Sequence, residues 1–167
     1  MFKLVGAAIA GTITFAALAV QAEEVAFQAV MVPQEQMRME FEDGSGRFVL
    51  MVRREGSAEG TGPLAGAAVT EHGWHDIHPG QDGDPRGYLT FDAGDGLAYV
   101  QWRVRAVFVP GSEGGMRLLD NGYWEVVGAT GSLEGLRGAG TLHIKPAPAP
   151  AAAPDRLFQL DGDLVMP

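Results

Sequence analysis

Apolar and polar residues alternate along most of the chain with a period of two, which sets successive side chains on opposite faces of an extended strand. In 36–42, Met37, Met39 and Phe41 fall on one side and Gln36, Arg38, Glu40 and Glu42 on the other. Asp43-Gly44-Ser45-Gly46 then supplies turn chemistry. The run 47–53 answers with Phe48, Leu50 and Val52 set against Arg47, Val49, Met51 and Arg53, so the two runs predict a hairpin. The longest alternation, 97–109, puts Ala98, Val100, Trp102, Val104, Ala106 and Phe108 on one face and Tyr99, Gln101, Arg103 and Arg105 on the other. Strands are expected near 25–32, 36–42, 47–54, 67–78, 87–92, 97–109, 121–128, 138–145 and 156–165, and no segment sustains a helical period. The fold class is therefore all-β: an eight-stranded antiparallel β-barrel, with a β-sandwich as the alternative. The length of 97–109 favours the barrel, because tilted barrel strands run long and closure removes exposed edges.

Two segments interrupt the alternation. Pro146 to Pro154 carries four prolines, lacks the donors a ladder needs, and reads as a loop at 146–154 joining the last two strands. Pro79 to Gly87 reads as an exposed loop without an apolar anchor. At the N-terminus, Met1-Phe2-Lys3, the apolar run Leu4 to Val20 and the small-residue site Val20-Gln21-Ala22 have the form of a signal peptide over 1–22. That leaves a single domain over 23–167 and an exported product, periplasmic or extracellular. A retained anchor is the alternative, although the run falls short of the roughly 20 apolar residues a spanning helix wants. With signal cleavage, no stable membrane span is expected.

Composition narrows the chemistry. The chain has 167 residues, 24 Gly, no Cys and a formal net charge of −9. Disulfide frameworks, thiol nucleophiles and thiolate metal sites are excluded. Nucleic acid is not an expected partner, since an acidic surface repels the phosphate backbone that supplies most of the affinity.

Thr61-Gly62-Pro63-Leu64-Ala65-Gly66 recurs as Thr130-Gly131-Ser132-Leu133-Glu134-Gly135, in both places between two predicted strands. The reading is structural: glycines permit the turn and one Leu plugs an end of the core. Neither copy opens a helix or carries the Lys of a nucleotide loop, and no cofactor is expected. The segment Gly122 to Thr141, containing the second copy, resembles the allene oxide cyclase barrel-like superfamily, whose hallmark is a strand ending in Gly-Gly-Thr-Gly, a short turn and a Gly-x-x-Gly opening the next strand. Gly-Tyr-Leu-Thr-Phe-Asp at 87–92, before a Gly-Asp-Gly turn and a Trp-containing strand, is similar to secreted bacterial members of that group, and plant dirigent proteins are similar too. The resemblance implies an eight-stranded barrel around an apolar cavity, in a family where some members steer cyclisation or coupling of reactive intermediates. It carries over Gly128, Gly131, Gly135 and Gly138 as scaffold positions beside Gly62 and Gly66 of the first copy, with Ala129 departing from the usual Gly. No catalytic residue transfers.

Candidate chemistry gathers in Glu71-His72-Gly73-Trp74-His75-Asp76-Ile77-His78. On a strand, His72, Trp74, Asp76 and His78 share one face and Glu71, His75 and Ile77 the other. Glu71, His75, Asp76 and His78 are the acid–base candidates, because an imidazole beside a carboxylate can titrate near neutrality. Asp76 and His78 are close enough to chelate a metal, with His143 as a donor from elsewhere, but a zinc site wants three or four protein ligands and no second cluster is present, so no metal is expected. Asp82-Gly83-Asp84, Asp92 to Asp95 and Asp161-Gly162-Asp163 lack the spacing of a calcium loop. Trp74, Tyr99, Trp102 and Trp124 are candidates for lining a ligand pocket. The functional expectation is an exported barrel that binds a small apolar molecule or acts as an interaction module. The alternative is a cyclase- or isomerase-like enzyme, supported only if the Glu71 to His78 cluster faces the interior. The oligomeric state is not legible.

Overall fold

The computed structural model describes residues 21–111, 114–151 and 154–166. Of the signal peptide expected over 1–22, positions 1–20 lie outside these residues. Nine strands follow one another: β1 (Glu23–Glu40), β2 (Phe48–Ser57), β3 (Glu59–Gly60), β4 (Ala68–Ile77), β5 (Arg86–Asp92), β6 (Gly96–Pro110), β7 (Met116–Gly131), β8 (Arg137–Pro146) and β9 (Arg156–Val165). No helix occurs among the described residues. The spatial order is β2-β4-β5-β6-β7-β8-β9-β1, every pair antiparallel, and β1 also pairs with β2, which closes an eight-stranded barrel. The two-residue β3 is an outlying pairing with β1.

Closure depends on the first strand. The runs 25–32 and 36–42 are one strand, β1, whose first half pairs with β9 and whose second half pairs with β2. The register shifts between Pro33 and Glu35, so Gln34 is an extra residue that bends the strand from one neighbour to the next. A one-residue shift exchanges the faces of everything beyond it. Val25, Phe27, Ala29 and Met31 are buried inside, whereas Met37 and Met39 stand 64% and 54% exposed, opposite Met51 and Val49. The alternation of 36–42 is thus real, but its apolar side is the outer one.

The core is formed by inward residues of all eight strands, with Phe27, Phe91, Trp102, Trp124 and Phe158 at its centre. Phe27 meets Phe91 edge-on at 5.6 Å, and Trp102 meets Phe158 at 6.0 Å. The strands β6 and β7 form a hairpin longer than its neighbours, paired from Gly96↔Gly131 out to Pro110↔Met116. β7 begins five residues before the expected position 121, because inward Asp120 and outward Leu119 mask its alternation.

The 79–87 segment is largely exposed, as expected, but it is tied down by polar contacts. Gly83 bridges Ala106, Val104 N donates to Pro85 O at 3.0 Å, and Asp84 and Asp82 accept from Arg105 at 2.9 and 3.3 Å. The overhanging end of β6 supplies the backbone and the cation that the sequence of the loop itself does not reveal.

Candidate functional site

The two ends of the barrel are finished differently. At one end lie the close of β2, β5, β7 and β9 and the start of β1, β4, β6 and β8. Here the two Thr-Gly-x-Leu-x-Gly connections adopt matching turns: Ala65 N donates to Gly62 O and Glu134 N to Gly131 O, both at 3.1 Å, while Ala67 N and Leu136 N donate to Leu64 O and Leu133 O. Gly62, Gly66, Gly131 and Gly135 have positive φ, as such turns require. Gly128 and Gly138, expected in the same turns, lie instead within β7 and β8. Gly138 is pressed so closely on Asp163 O that a Cβ would stand 2.4 Å from it. Leu64, Leu133 and Leu136 are buried and plug this end.

The opposite end holds a cavity of about 180 Å³. Leu50, Val104, Ala106, Phe108, Ile144 and Phe158 supply its apolar walls, and Arg54, His75, Asp120 and Arg156 its central polar groups. The alternation of β4 sends Glu71, Gly73, His75 and Ile77 inward, in register with Arg54, Val52, Leu50 and Phe48 of β2. Arg54 Nη1 donates to Glu71 Oε2 at 2.6 Å, and both side chains are buried. Beside them, His75 tilts against Trp102 with ring centres 6.2 Å apart. Gly73 makes this possible: a Cβ there would stand 2.6 Å from Glu71 Oε1 and 3.0 Å from His75 Nε2, so any larger residue would fill the space these two groups share. Gly87, its partner on β5, leaves room in the same way for the Trp102 ring, 2.9 Å from where a Cβ would be.

Burial controls the charge states. It pushes the Glu71 carboxyl up, against the opposing pull of Arg54. His75 is lowered to about 4 by burial and by the cations Arg54 and Arg156, so its imidazole is neutral at physiological pH. Asp120 is raised to about 6 by burial, which Arg156 partly offsets. Arg54 Nε, Glu71 Oε1, His75 Nε2, Trp102 Nε1 and Asp120 Oδ1 are buried without a protein hydrogen-bond partner. Five such atoms in one interior region are unusual, because buried polar groups are ordinarily paired.

The acid–base candidates divide. Glu71 and His75 face the interior, and His78 borders the mouth of the cavity with Gln81 Nε2 3.4 Å from its ring. Asp76 also borders the mouth, but its carboxylate is gripped by Arg47, whose Nε donates at 2.8 Å and holds it below the usual carboxylate range. That contact occupies both Asp76 oxygens, and no group of three or more metal-ligating side chains occurs among the described residues. His143 lies on another face, against Asn121. The four aromatic candidates are not brought together: Trp74 and Tyr99 point outward, while Trp102 and Trp124 are fully buried and Trp124 Nε1 donates to Asp161 O at 3.3 Å. None of the four lines the cavity.

Arg54, Asp120 and Arg156 were not among the sequence-derived candidates. One signal for Arg54 exists: it continues the Phe48, Leu50, Val52 face by one more step. Asp120 lies just before the alternation that marks β7 in the sequence, and Arg156 opens β9, so periodicity gives neither a facing.

No protein-family model and no curated protein matches the chain. Its fold is similar to that of a β-barrel-like protein from Acinetobacter baumannii, with a TM-score of 0.51 at 12% identity over 90% of this chain and 99% of that one. The shared feature is the barrel. A pterocarpan synthase dirigent protein superposes with a TM-score of 0.49 at 10% identity, over 94% of this chain and 97% of that one. A conserved protein of unknown function from Rhodopseudomonas palustris gives 0.47 at 12%, over 90% and 100%. At such identities the likeness concerns fold alone.

Proposed function

We propose that the chain is an exported member of the allene oxide cyclase barrel-like superfamily and that its open end binds a small, largely apolar molecule. The observation that carries this reading is the cavity itself: apolar walls converging on a few polar groups at one end of a barrel, the form that small-molecule sites take. Unpartnered His75 Nε2 and Asp120 Oδ1 border that space, and a ligand that pairs with them recovers hydrogen bonds the fold leaves unmade. The test is a metabolite screen by native mass spectrometry on the 23–167 chain and on Ala106→Trp, which fills the cavity. Adducts on the parent that vanish in the variant, with thermal melting showing both folded, are expected. A parent that retains nothing overturns the reading.

A second reading, a cyclase- or isomerase-like enzyme, is favoured by one observation. A carboxyl raised to about 6, which is mostly ionised at pH 7, and a neutral imidazole border the same cavity, giving a carboxylate of raised basicity beside a neutral hydrogen-bonding ring. Ligands recovered from the screen as isomers of equal mass, formed by the parent and not by His75→Phe or Asp120→Asn, support it. Ligands returned unchanged by all three proteins remove it.

A further inference from the structure

Beside the cavity the barrel wall is incomplete. β7 and β8 are paired only from Glu125↔Ala139 to Asp120↔Ile144. Beyond that point β7 reaches back to Met116 and β8 forward to Pro146, and their ladder ends, leaving a seam in the barrel wall. A groove of about 630 Å³ occupies the seam, bordered by Met116, Leu118, Lys145 and Pro146. Leu118, Asp120, Ile144 and Arg156 line both this groove and the interior cavity, so the two adjoin along these side chains. The hairpin of β6 and β7 overhangs here, and its inward side chains Met116 and Leu118 are 62% and 41% exposed beside Phe108.

Size and charge define what fits. The cavity, about 180 Å³, is smaller than the roughly 300–1,000 Å³ of ordinary ligand pockets and close to the 150 Å³ that accommodates benzene. The seam supplies the missing volume. Around the interior cavity the charges come as opposites, Arg54 with Glu71 and Arg156 near Asp120, which leaves no net charge there for an ionic group to answer; the seam adds Arg117 and Lys145, the latter donating to Gln159 Oε1 at 2.6 Å.

We infer that the β7–β8 seam is the second half of the binding site, and that the ligand is an elongated molecule with a compact, uncharged end in the cavity and an unbranched apolar chain in the seam. The inference rests on the cavity being a ligand site, and the experiment separates the two. Binding of linear primary alcohols from butanol to decanol is measured by calorimetry on the 23–167 chain, on Met116→Asp and on Pro146→Asp, two positions that border the seam and not the cavity. In the parent, affinity rises about fourfold per methylene through decanol, as continued burial of the chain predicts. In both variants, butanol binds as in the parent while the rise stops at the intermediate alcohols. A parent that binds short alcohols but gains nothing beyond hexanol overturns the seam and leaves the cavity reading standing. Variants that keep the full rise also overturn the seam. A parent that binds no alcohol of any length overturns the cavity reading and the seam with it.

Discussion

The two ends of this barrel are built from the same strands and diverge in how the strands are joined. At the plugged end, two tight connections of matching turn geometry each drop a leucine into the core, and the chain reverses with nothing left over. At the open end, β6 and β7 overrun their neighbours, the β7–β8 ladder stops short, and polar side chains occupy inward positions. One end has been closed by packing and the other leaves unmade contacts. Such an asymmetry places stability at the first end and binding potential at the second, as in other scaffolds where a rigid frame carries a functional rim.

The boundary between the two regimes is the Arg54–Glu71 pair, and breaking it should produce the largest effect. Arg54→Met leaves a buried carboxylate without its partner, which typically costs about 3–5 kcal/mol. Arg54→Met with Glu71→Leu should recover much of that loss, because the ion pair is replaced by apolar packing rather than halved. Urea denaturation of both variants measures the difference. A single variant as stable as the parent would mean that the pair is not a structural element of the barrel.

Next in size are the plugs. Leu64→Ala and Leu133→Ala each remove a fully enclosed side chain and should cost about 2–5 kcal/mol in the same assay. Similar losses at the two sites would match their equivalent turns. A loss at one site only would show that the repeat in sequence is not a repeat in energetics.

What was legible beforehand follows the same division. At the plugged end the motif, its turn glycines and the role of its leucines were readable, because local turn chemistry and one apolar residue determine them. The split of Glu71 and His75 from His72 and Trp74 was readable too, since strand period fixes facing within an unbroken strand. Facing failed where an extra residue intervened. Gln34 reverses β1, so Met37 and Met39 point out, and no local pattern announces such an insertion. The open end was the least legible: Arg54, Asp120 and Arg156 are polar residues at inward positions, which a hydrophobic pattern assigns to the surface. Trp102 and Trp124 look like ligand-binding aromatics in isolation, but the register of five neighbouring strands places them in the core.

The open end should also reveal itself through pH. Asp120 has a folded-state pKa of about 6 against an ordinary 3.8, so the folded protein binds the proton more tightly than the unfolded chain. Its burial therefore favours folding at low pH, and that advantage is lost as pH rises through about 4 to 6. Asp120→Asn removes the cost at high pH. Because the group is partly exposed, solvent screening keeps the gain near about 1 kcal/mol, or about 2–4 °C in Tm at pH 8, with none at pH 3.5. His75 works in the opposite direction: lowered to about 4, it destabilises the fold as pH falls from about 6.5 through 4. Melting of the parent and Asp120→Asn between pH 3.5 and 8 checks the sign, and equal curves would place Asp120 in bulk solvent.

The smallest effect is expected from Leu118→Ala, and its smallness is the informative part. Leu118 has the same side chain as Leu64 and Leu133, and it too points inward from its strand. Burial separates them, since Leu118 is 41% exposed and Leu64 is fully enclosed. A side chain already largely in water returns little free energy when it is removed, so the change should stay within about 0.5 kcal/mol. The ratio of the Leu64 and Leu118 losses, measured in one buffer by urea denaturation, compares the two ends of the barrel directly. A loss at Leu118 as large as that at Leu64 would mean that the hairpin of β6 and β7 packs onto the mouth in solution and seals the end that stands open here.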